Sequence, residues 1–172
     1  MRKEVINKNI LIVGLSDDFV RLFSSLLADK LDFYYLDVES LLEYSIMDRF
    51  KMEKVCGVRY LDEQEKKVIK SINDYQKTVI SMKLDLFIGH LKNILSNNIL
   101  VYLKFDKTDV QNLNKLLKSK SLNEVVLNDL VFEERDKYLK KNCEIVLDCD
   151  IFNIENSINI LLEKIINFNK GN

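Results

Sequence analysis

The sequence predicts an α/β protein with three layers, in which helices cover both faces of a five-stranded parallel sheet. Short apolar segments alternate along the chain with longer segments of helical periodicity, which is the pattern of successive β-α units. The chain has 172 residues, of which 47% are apolar, so it is long enough for one domain with a substantial core. We find no internal repeat and no linker, and we expect a single domain over residues 1–172.

The first β-α unit is the clearest part of the pattern. Residues 10–13 are a buried strand that ends at Gly14. A helix is predicted over residues 17–31, because its apolar side chains recur at spacings of three and four. Asp17 or Asp18 can cap this helix, where a negative charge meets the positive end of the helix dipole.

The remaining elements follow in the same alternation. Further strands are predicted at residues 33–36, 78–81, 99–103 and 144–147, and the uncharged fourth strand is expected in the middle of the sheet. Helices are predicted at residues 41–50, 61–72, 90–95, 109–117, 128–141 and 154–168, with a polar segment at 118–123.

The composition argues against several classes of protein. There are 26 Lys and Arg residues against 27 Asp and Glu residues, a net charge of −1, which does not favour binding to nucleic acid through bulk charge. No apolar run is long enough to cross a membrane. Cys56, Cys143 and Cys149 are expected to be reduced, and their spacing is not that of a zinc site. A cytoplasmic protein without a metal site is the expectation.

Ligands of open parallel sheets bind at the carboxyl ends of the strands. In this chain that rule points to Gly14 and the residues after it, to residues 37–39 and to residues 81–85. A phosphate-binding loop has the sequence Gly-x-x-x-x-Gly-Lys-Ser/Thr. Here the corresponding residues are Gly-Leu-Ser-Asp-Asp-Phe-Val-Arg, from Gly14 to Arg21, so only the first glycine is present.

Taken together, the order and spacing of these segments resemble the shikimate kinases, a family of small P-loop kinases. The match runs without a gap from residue 10 to residue 39, where Asp37-Val38-Glu39 stands in place of the family's Asp-x-Asp. Residues 61–67 resemble the family's Phe-Arg-x-x-Glu segment, and residues 99–103 resemble its Val-Val-Tyr-Leu strand. Residues 131–147 resemble its Glu-Arg helix and last strand. The resemblance implies the P-loop kinase fold.

The departures from the family lie at positions that carry its chemistry. The family's Gly-Lys-Ser is replaced by Phe19-Val20-Arg21, which removes the lysine that bridges the phosphates and the hydroxyl that holds Mg²⁺. A substrate-binding arginine is replaced by Asp62, and a Gly-Gly-Gly turn by residues 83–85. The family's lid is shortened to about residues 115–126 and contains no arginine.

Three positions retain the family's residue type. The resemblance implies that Asp37 helps to position Mg²⁺, that Glu39 contacts substrate hydroxyls and that Arg135 binds the substrate carboxylate. Each also has a purely structural interpretation. Asp37 can cap the next helix, Glu39 can favour the positive end of a helix dipole, and Arg135 can pair with Glu133, Glu134 or Glu39. Gly14 and Arg21 are what remains of a nucleotide-binding loop, and Arg21 is a weak substitute for the missing lysine. His90 is expected in a surface or packing role.

We therefore predict a shikimate-kinase-like protein that has lost phosphoryl transfer and acts as a binding or regulatory module, through a protein partner whose identity the sequence does not give. No cofactor and weak or no shikimate binding are expected. The alternative is an active, divergent shikimate kinase that uses ATP and Mg²⁺ at a rebuilt phosphate site. A third hypothesis is a scaffold whose pocket is filled by its own Phe19 and Leu84.

Overall fold

The structure, a computed structural model, describes residues 6–46, 49–94, 97–106, 108–109, 112 and 129–171. Within these ranges the strands are β1 (Asn9–Gly14), β2 (Tyr34–Asp37), β3 (Thr78–Ser81), β4 (Asn98–Lys104) and β5 (Ile145–Asp148). The helices are α1 (Asp17–Leu31), α2 (Val38–Ile46), α3 (Arg49–Cys56), α4 (Val58–Ser71), α5 (Leu84–Ile94), α6 (Asp129–Asn142) and α7 (Ile154–Gly171).

The five strands form one parallel sheet in the order β2-β3-β1-β4-β5. Every residue of β1 is buried, and β4 is buried except at its last residue. The predicted fold class is confirmed. The fourth strand was expected in the middle of the sheet, but it lies between β1 and the edge strand β5, and β1 occupies the middle. Because all strands run in the same direction, their carboxyl ends meet at one edge, which we call the carboxyl edge.

The strand order also determines how the helices are distributed. Right-handed crossovers from β1 to β2 and from β3 to β4 run in opposite directions across the sheet, so they place α1 and α5 on opposite faces. An ion pair of 3.5 Å between Lys30 and Glu155 joins α1 to α7. On the other face, α6 is held to β4 by the buried Tyr102, whose hydroxyl donates to Asp136 Oδ1 over 2.9 Å.

Two predicted helices correspond poorly to the helices of the structure, and a third lies almost entirely outside the described residues. The segment predicted as a helix at 90–95 is part of the longer α5, whose buried Leu84, Phe87 and Ile94 follow the helical spacing that the prediction overlooked. The segment predicted at 41–50 contains parts of both α2 and α3. The helix predicted at 109–117, the polar segment 118–123 and the shortened lid at about 115–126 lie almost entirely outside the described residues.

None of the helices in the described ranges combines the length and the apolar character that a membrane span requires.

Candidate functional site

The junction between β1 and α1 is much shorter than a phosphate-binding loop. The strand ends at Gly14 and the helix begins at Asp17, so only Leu15 and Ser16 lie between them. Ser16 is the N-cap residue, and its carbonyl accepts a hydrogen bond of 3.0 Å from the backbone amide of Val20. In a P-loop, a glycine-rich segment separates strand from helix and turns its amides toward phosphate. Here the residues at those positions already form the first helical turn.

The side chain of Phe19 points into the core from this first turn. It is only 1% exposed. Its ring packs edge-on against Phe105, with the ring centroids 4.8 Å apart, and lies 6.1 Å from the ring of Phe23. A buried aromatic ring therefore stands at the position of the second glycine of the phosphate-loop motif.

Gly14 has a packing role that is independent of any ligand. A Cβ atom at this position would lie 2.9 Å from Val20 Cγ2 and 3.2 Å from the carbonyl oxygen of Leu103. Both distances are too short for an ordinary contact, and the second involves backbone of the neighbouring strand. The single retained glycine of the motif thus allows α1 to approach the end of β1 closely.

A small cleft opens beside α1 at the carboxyl edge. It encloses about 150 Å³, including space open to solvent. The cleft is lined by Asp17, Val20, Arg21, Asp37, Ser81, Met82 and Lys83.

Asp37, at the end of β2, is the most extensively hydrogen-bonded side chain of the cleft. Its Oδ2 accepts from the backbone amide of Ser40 over 3.1 Å and from the Ser40 hydroxyl over 2.7 Å. Its Oδ1 accepts from the Ser81 hydroxyl over 2.9 Å. Burial alone would raise the pKa of Asp37, but these hydrogen bonds and the Arg21 charge together lower it. The bonds to Ser40 show that Asp37 caps α2, as its structural interpretation predicted.

Two cations of the cleft are engaged by acidic side chains of the same chain. Arg21 Nε donates to Asp37 Oδ1 over 3.4 Å, and its Nη2 lies 4.0 Å from Glu39 Oε2. Lys83 Nζ lies 2.5 Å from the same Glu39 oxygen. The pKa of Arg21 is raised: burial opposes this change, but the carboxylates of Asp37, Glu39 and Asp17 together outweigh it. Both positive charges are therefore already neutralised from within the protein.

Asp17 brings another carboxyl group to the cleft, at the first position of α1. Burial raises the pKa of this group, while Lys83 and Arg21 act in the opposite direction. A phosphate group approaching the start of α1 would meet this side chain and the neighbouring Asp18 before it reached the helix amides.

Four of the five residues predicted for the site lie around two strand–helix junctions of the carboxyl edge, and the fifth, Arg135, contacts the start of α5 at the same edge. Gly14, Arg21, Asp37 and Glu39 lie around the β1–α1 and β2–α2 junctions. Arg135 is placed on α6, and its Nη2 lies 3.3 Å from Asp85 Oδ1 at the start of α5. The partner of Arg135 is therefore Asp85, and not Glu133, Glu134 or Glu39, which the sequence suggested.

Lys83 and Ser81 also line the cleft. Ser81 is the last residue of β3 and Lys83 comes two residues later. Both lie in the segment 81–85 to which the carboxyl-edge rule pointed, although neither was assigned a role individually. His90 lies outside the cleft, buried between α5 and α4, with its Nε2 3.8 Å from Glu65 Oε2.

Comparison with solved structures identifies the fold. Similar folds occur in the shikimate kinase from Bacteroides thetaiotaomicron, with a TM-score of 0.73 and 15% identity over 93% of this chain and 99% of that one. The shikimate kinase from Acinetobacter baumannii in complex with shikimate gives 0.71 and 14% identity over 93% of both chains. The enzyme from Aquifex aeolicus gives 0.64 and 20% identity over 91% of this chain and 95% of that one.

These similarities show that the chain has the shikimate kinase fold over nearly its full length. At the level of sequence, neither a protein-family model nor a curated protein matches the chain.

Proposed function

We propose that this chain is a shikimate-kinase-fold protein that does not transfer phosphoryl groups and acts as a binding or regulatory module. The observation that carries the proposal is the helical start of α1 at Asp17, only three residues after the end of β1. Phosphoryl transfer depends almost entirely on positioning and on charge stabilisation of the phosphate groups. A junction of two residues contains no loop that could position the phosphate groups or stabilise their charge.

ATP with Mg²⁺ does not fit the described residues. The backbone amide of Val20, at the position of the motif's lysine, is already bonded to Ser16 within the helix. Phe19 fills the core instead of leaving backbone open to phosphate. The cleft adds two obstacles, its small volume and the carboxyl group of Asp17 on its wall.

One observation favours the rival hypothesis of a divergent but active kinase. Arg21 and Lys83 both line the cleft, and two cations at the carboxyl edge could in principle substitute for the motif's lysine. Their ion pairs with Asp37 and Glu39 argue against this, because a phosphate would have to compete with carboxylates already in contact. The two hypotheses differ in whether nucleotide binds.

We expect no effect of ATP on thermal stability. A ligand present at 100 times its dissociation constant stabilises the native state by about 2.7 kcal/mol, which corresponds to roughly 5–11 °C in melting temperature for a chain of this size. Melting curves with millimolar ATP, with and without Mg²⁺, should superimpose on the curve of the protein alone. An active shikimate kinase in the same assay provides the positive control. A Mg²⁺-dependent rise of several degrees would reject the proposal and support the kinase.

Shikimate is the second ligand to test, because Arg135 is the one residue of the implied carboxylate site that remains. Its guanidinium is already paired with Asp85. At the position of a second arginine the chain has Asp62, whose carboxylate is paired with Lys66 and would repel a carboxylate ligand. We therefore expect millimolar affinity at best.

Calorimetric titration of shikimate into the protein should show no saturable heat at micromolar concentrations. The matched variants are Arg135→Ala, which removes the implied anchor, and Asp85→Asn, which releases that anchor from its partner. If the parent bound shikimate with micromolar affinity and Arg135→Ala did not, the pocket would be functional and the site interpretation would have to change.

A further inference from the structure

The cleft contains one guanidinium surrounded by carboxyl groups that come from three directions. Arg21 Nη1 lies 3.9 Å from Asp18 Oδ1 on the same helix, Nε lies 3.4 Å from Asp37 Oδ1 at the end of β2, and Nη2 lies 4.0 Å from Glu39 Oε2 on α2. The Arg21 side chain is 38% exposed, while those of Asp37 and Glu39 are 13% and 16% exposed. The cation therefore sits at the mouth of a largely buried pair of acids.

In the phosphate-loop motif, the position of Arg21 is occupied by the Ser or Thr whose hydroxyl binds the metal ion. In P-loop proteins Mg²⁺ is held between the loop's Ser or Thr and an acidic residue at the end of a nearby strand. Here the corresponding side chains are Arg21 and Asp37, and they contact each other directly. We propose that the Arg21 guanidinium is a built-in counter-ion, which takes the place of the divalent cation and leaves no room for a metal ion.

The charge balance of the cleft explains why a permanent cation is needed there. Among the described residues at the cleft, the four acids Asp17, Asp18, Asp37 and Glu39 outnumber the two cations, Arg21 and Lys83. The hydrogen bonds from Ser40 and Ser81 favour the ionised form of Asp37. Removal of Arg21 would leave Lys83 to neutralise these carboxyl groups. The excess negative charge would favour the binding of another cation.

The contacts of Arg21 with the acids are those of a guanidinium, and the acids are not arranged as the ligands of a metal ion. Magnesium and calcium need oxygen ligands within about 2.0–2.6 Å, and no group of three or more acidic, His or Cys side chains in the described ranges is arranged to hold a metal. Arg21 touches its three acids at 3.4–4.0 Å from three different nitrogen atoms. A planar cation of that size keeps the carboxylates apart.

The test measures divalent-cation binding to the whole chain without nucleotide, in the parent, in Arg21→Ser and in Arg21→Lys. Titration of Mn²⁺ followed by electron paramagnetic resonance should detect no site in the parent and one site per chain in Arg21→Ser. The melting temperature of Arg21→Ser should be lowered in chelator. It should rise by about 3–6 °C when the Mn²⁺ concentration is ten times the dissociation constant. Arg21→Lys keeps the charge and should bind no Mn²⁺.

A second substitution identifies the site. Asp37→Asn in the Arg21→Ser background should abolish Mn²⁺ binding. Asp74→Asn in the same background is the control and should leave binding intact, because Asp74 lies in the 3₁₀ turn Ile72–Asp74, which precedes β3, whereas the cleft lies at the end of β3. Two results would overturn the proposal. One is that the parent binds Mn²⁺ and loses this binding when Asp37 is changed to Asn, and the other is that Arg21→Ser binds no Mn²⁺. Spectroscopic detection of Mn²⁺ keeps the test valid even if Arg21→Ser is less stable.

This inference extends the proposed function, but the two can fail separately. Mn²⁺ binding to the parent without any effect of ATP would overturn the role of Arg21 alone. An effect of ATP on a parent that binds no Mn²⁺ would overturn the proposed function and leave the role of Arg21 standing.

Discussion

Replacing Phe19 with alanine is expected to lower the free energy of unfolding by about 3–5 kcal/mol, as for other buried aromatic residues cut back to alanine. The ring is 1% exposed and packs edge-on against Phe105, so its removal leaves a cavity between α1 and the end of β4. Urea unfolding followed by circular dichroism gives the change in the midpoint of unfolding. If the dependence of the unfolding free energy on urea concentration is the same in both proteins, the change in midpoint reflects a change in stability.

Phe152→Ala is the matched control for Phe19→Ala. Phe152 is 87% exposed, and substitutions at such positions usually stay within about 0.5 kcal/mol. If both variants unfolded at the midpoint of the parent, Phe19 would be a surface residue in solution. The region around it would then be open to ligands.

Gly14→Ala should destabilise the protein by about 1–3 kcal/mol, the usual range for one additional group in a well-packed core. The new Cβ would meet Val20 Cγ2 at 2.9 Å and the backbone oxygen of Leu103 at 3.2 Å. Adding Val20→Ala relieves the first contact but not the second. In a double-mutant cycle the pair should therefore be less destabilised than the sum of the two single changes.

Gly89→Ala provides the opposite outcome in the same measurement. Gly89 lies inside α5, and a Cβ there meets no heavy atom within 4 Å. Alanine at an open helical position should stabilise the protein by roughly 0.5–1 kcal/mol. If Gly14→Ala behaved like Gly89→Ala, the close approach of α1 to β1 would not limit this position, and a ligand-related reason for the glycine would regain support.

The fold could be predicted because hydrophobic periodicity is a local property. The apolar spacing of α1 was sufficient to give its bounds, Asp17–Leu31, as the structure has them. The bounds of α5 were predicted wrongly, because residues 83–85 were interpreted as a turn. The helical spacing of Leu84, Phe87 and Ile94 was therefore overlooked. Long segments with a clear period were predictable, and junctions interpreted through a motif were not.

The site was predictable only in its residue types. The ends of β1 and β2 pointed to Gly14, Arg21, Asp37 and Glu39, since parallel strands bring their carboxyl ends together. The pairing of those residues could not be predicted, because it depends on distances between side chains from different elements. The contact of Arg135 with Asp85 joins positions 50 residues apart, and the contact of Lys83 with Glu39 joins α2 to the end of β3.

The two-residue junction between β1 and α1 has a consequence for how this sequence can change over evolutionary time. Placing lysine and serine at positions 20 and 21 would put the motif's side chains on a helix that still begins at Asp17. The backbone amide of residue 20 would remain bonded to Ser16, and the core would still hold the ring of Phe19. A change to a phosphate loop therefore requires the first turn of α1 to unwind and the core beneath it to repack, and no single substitution achieves both.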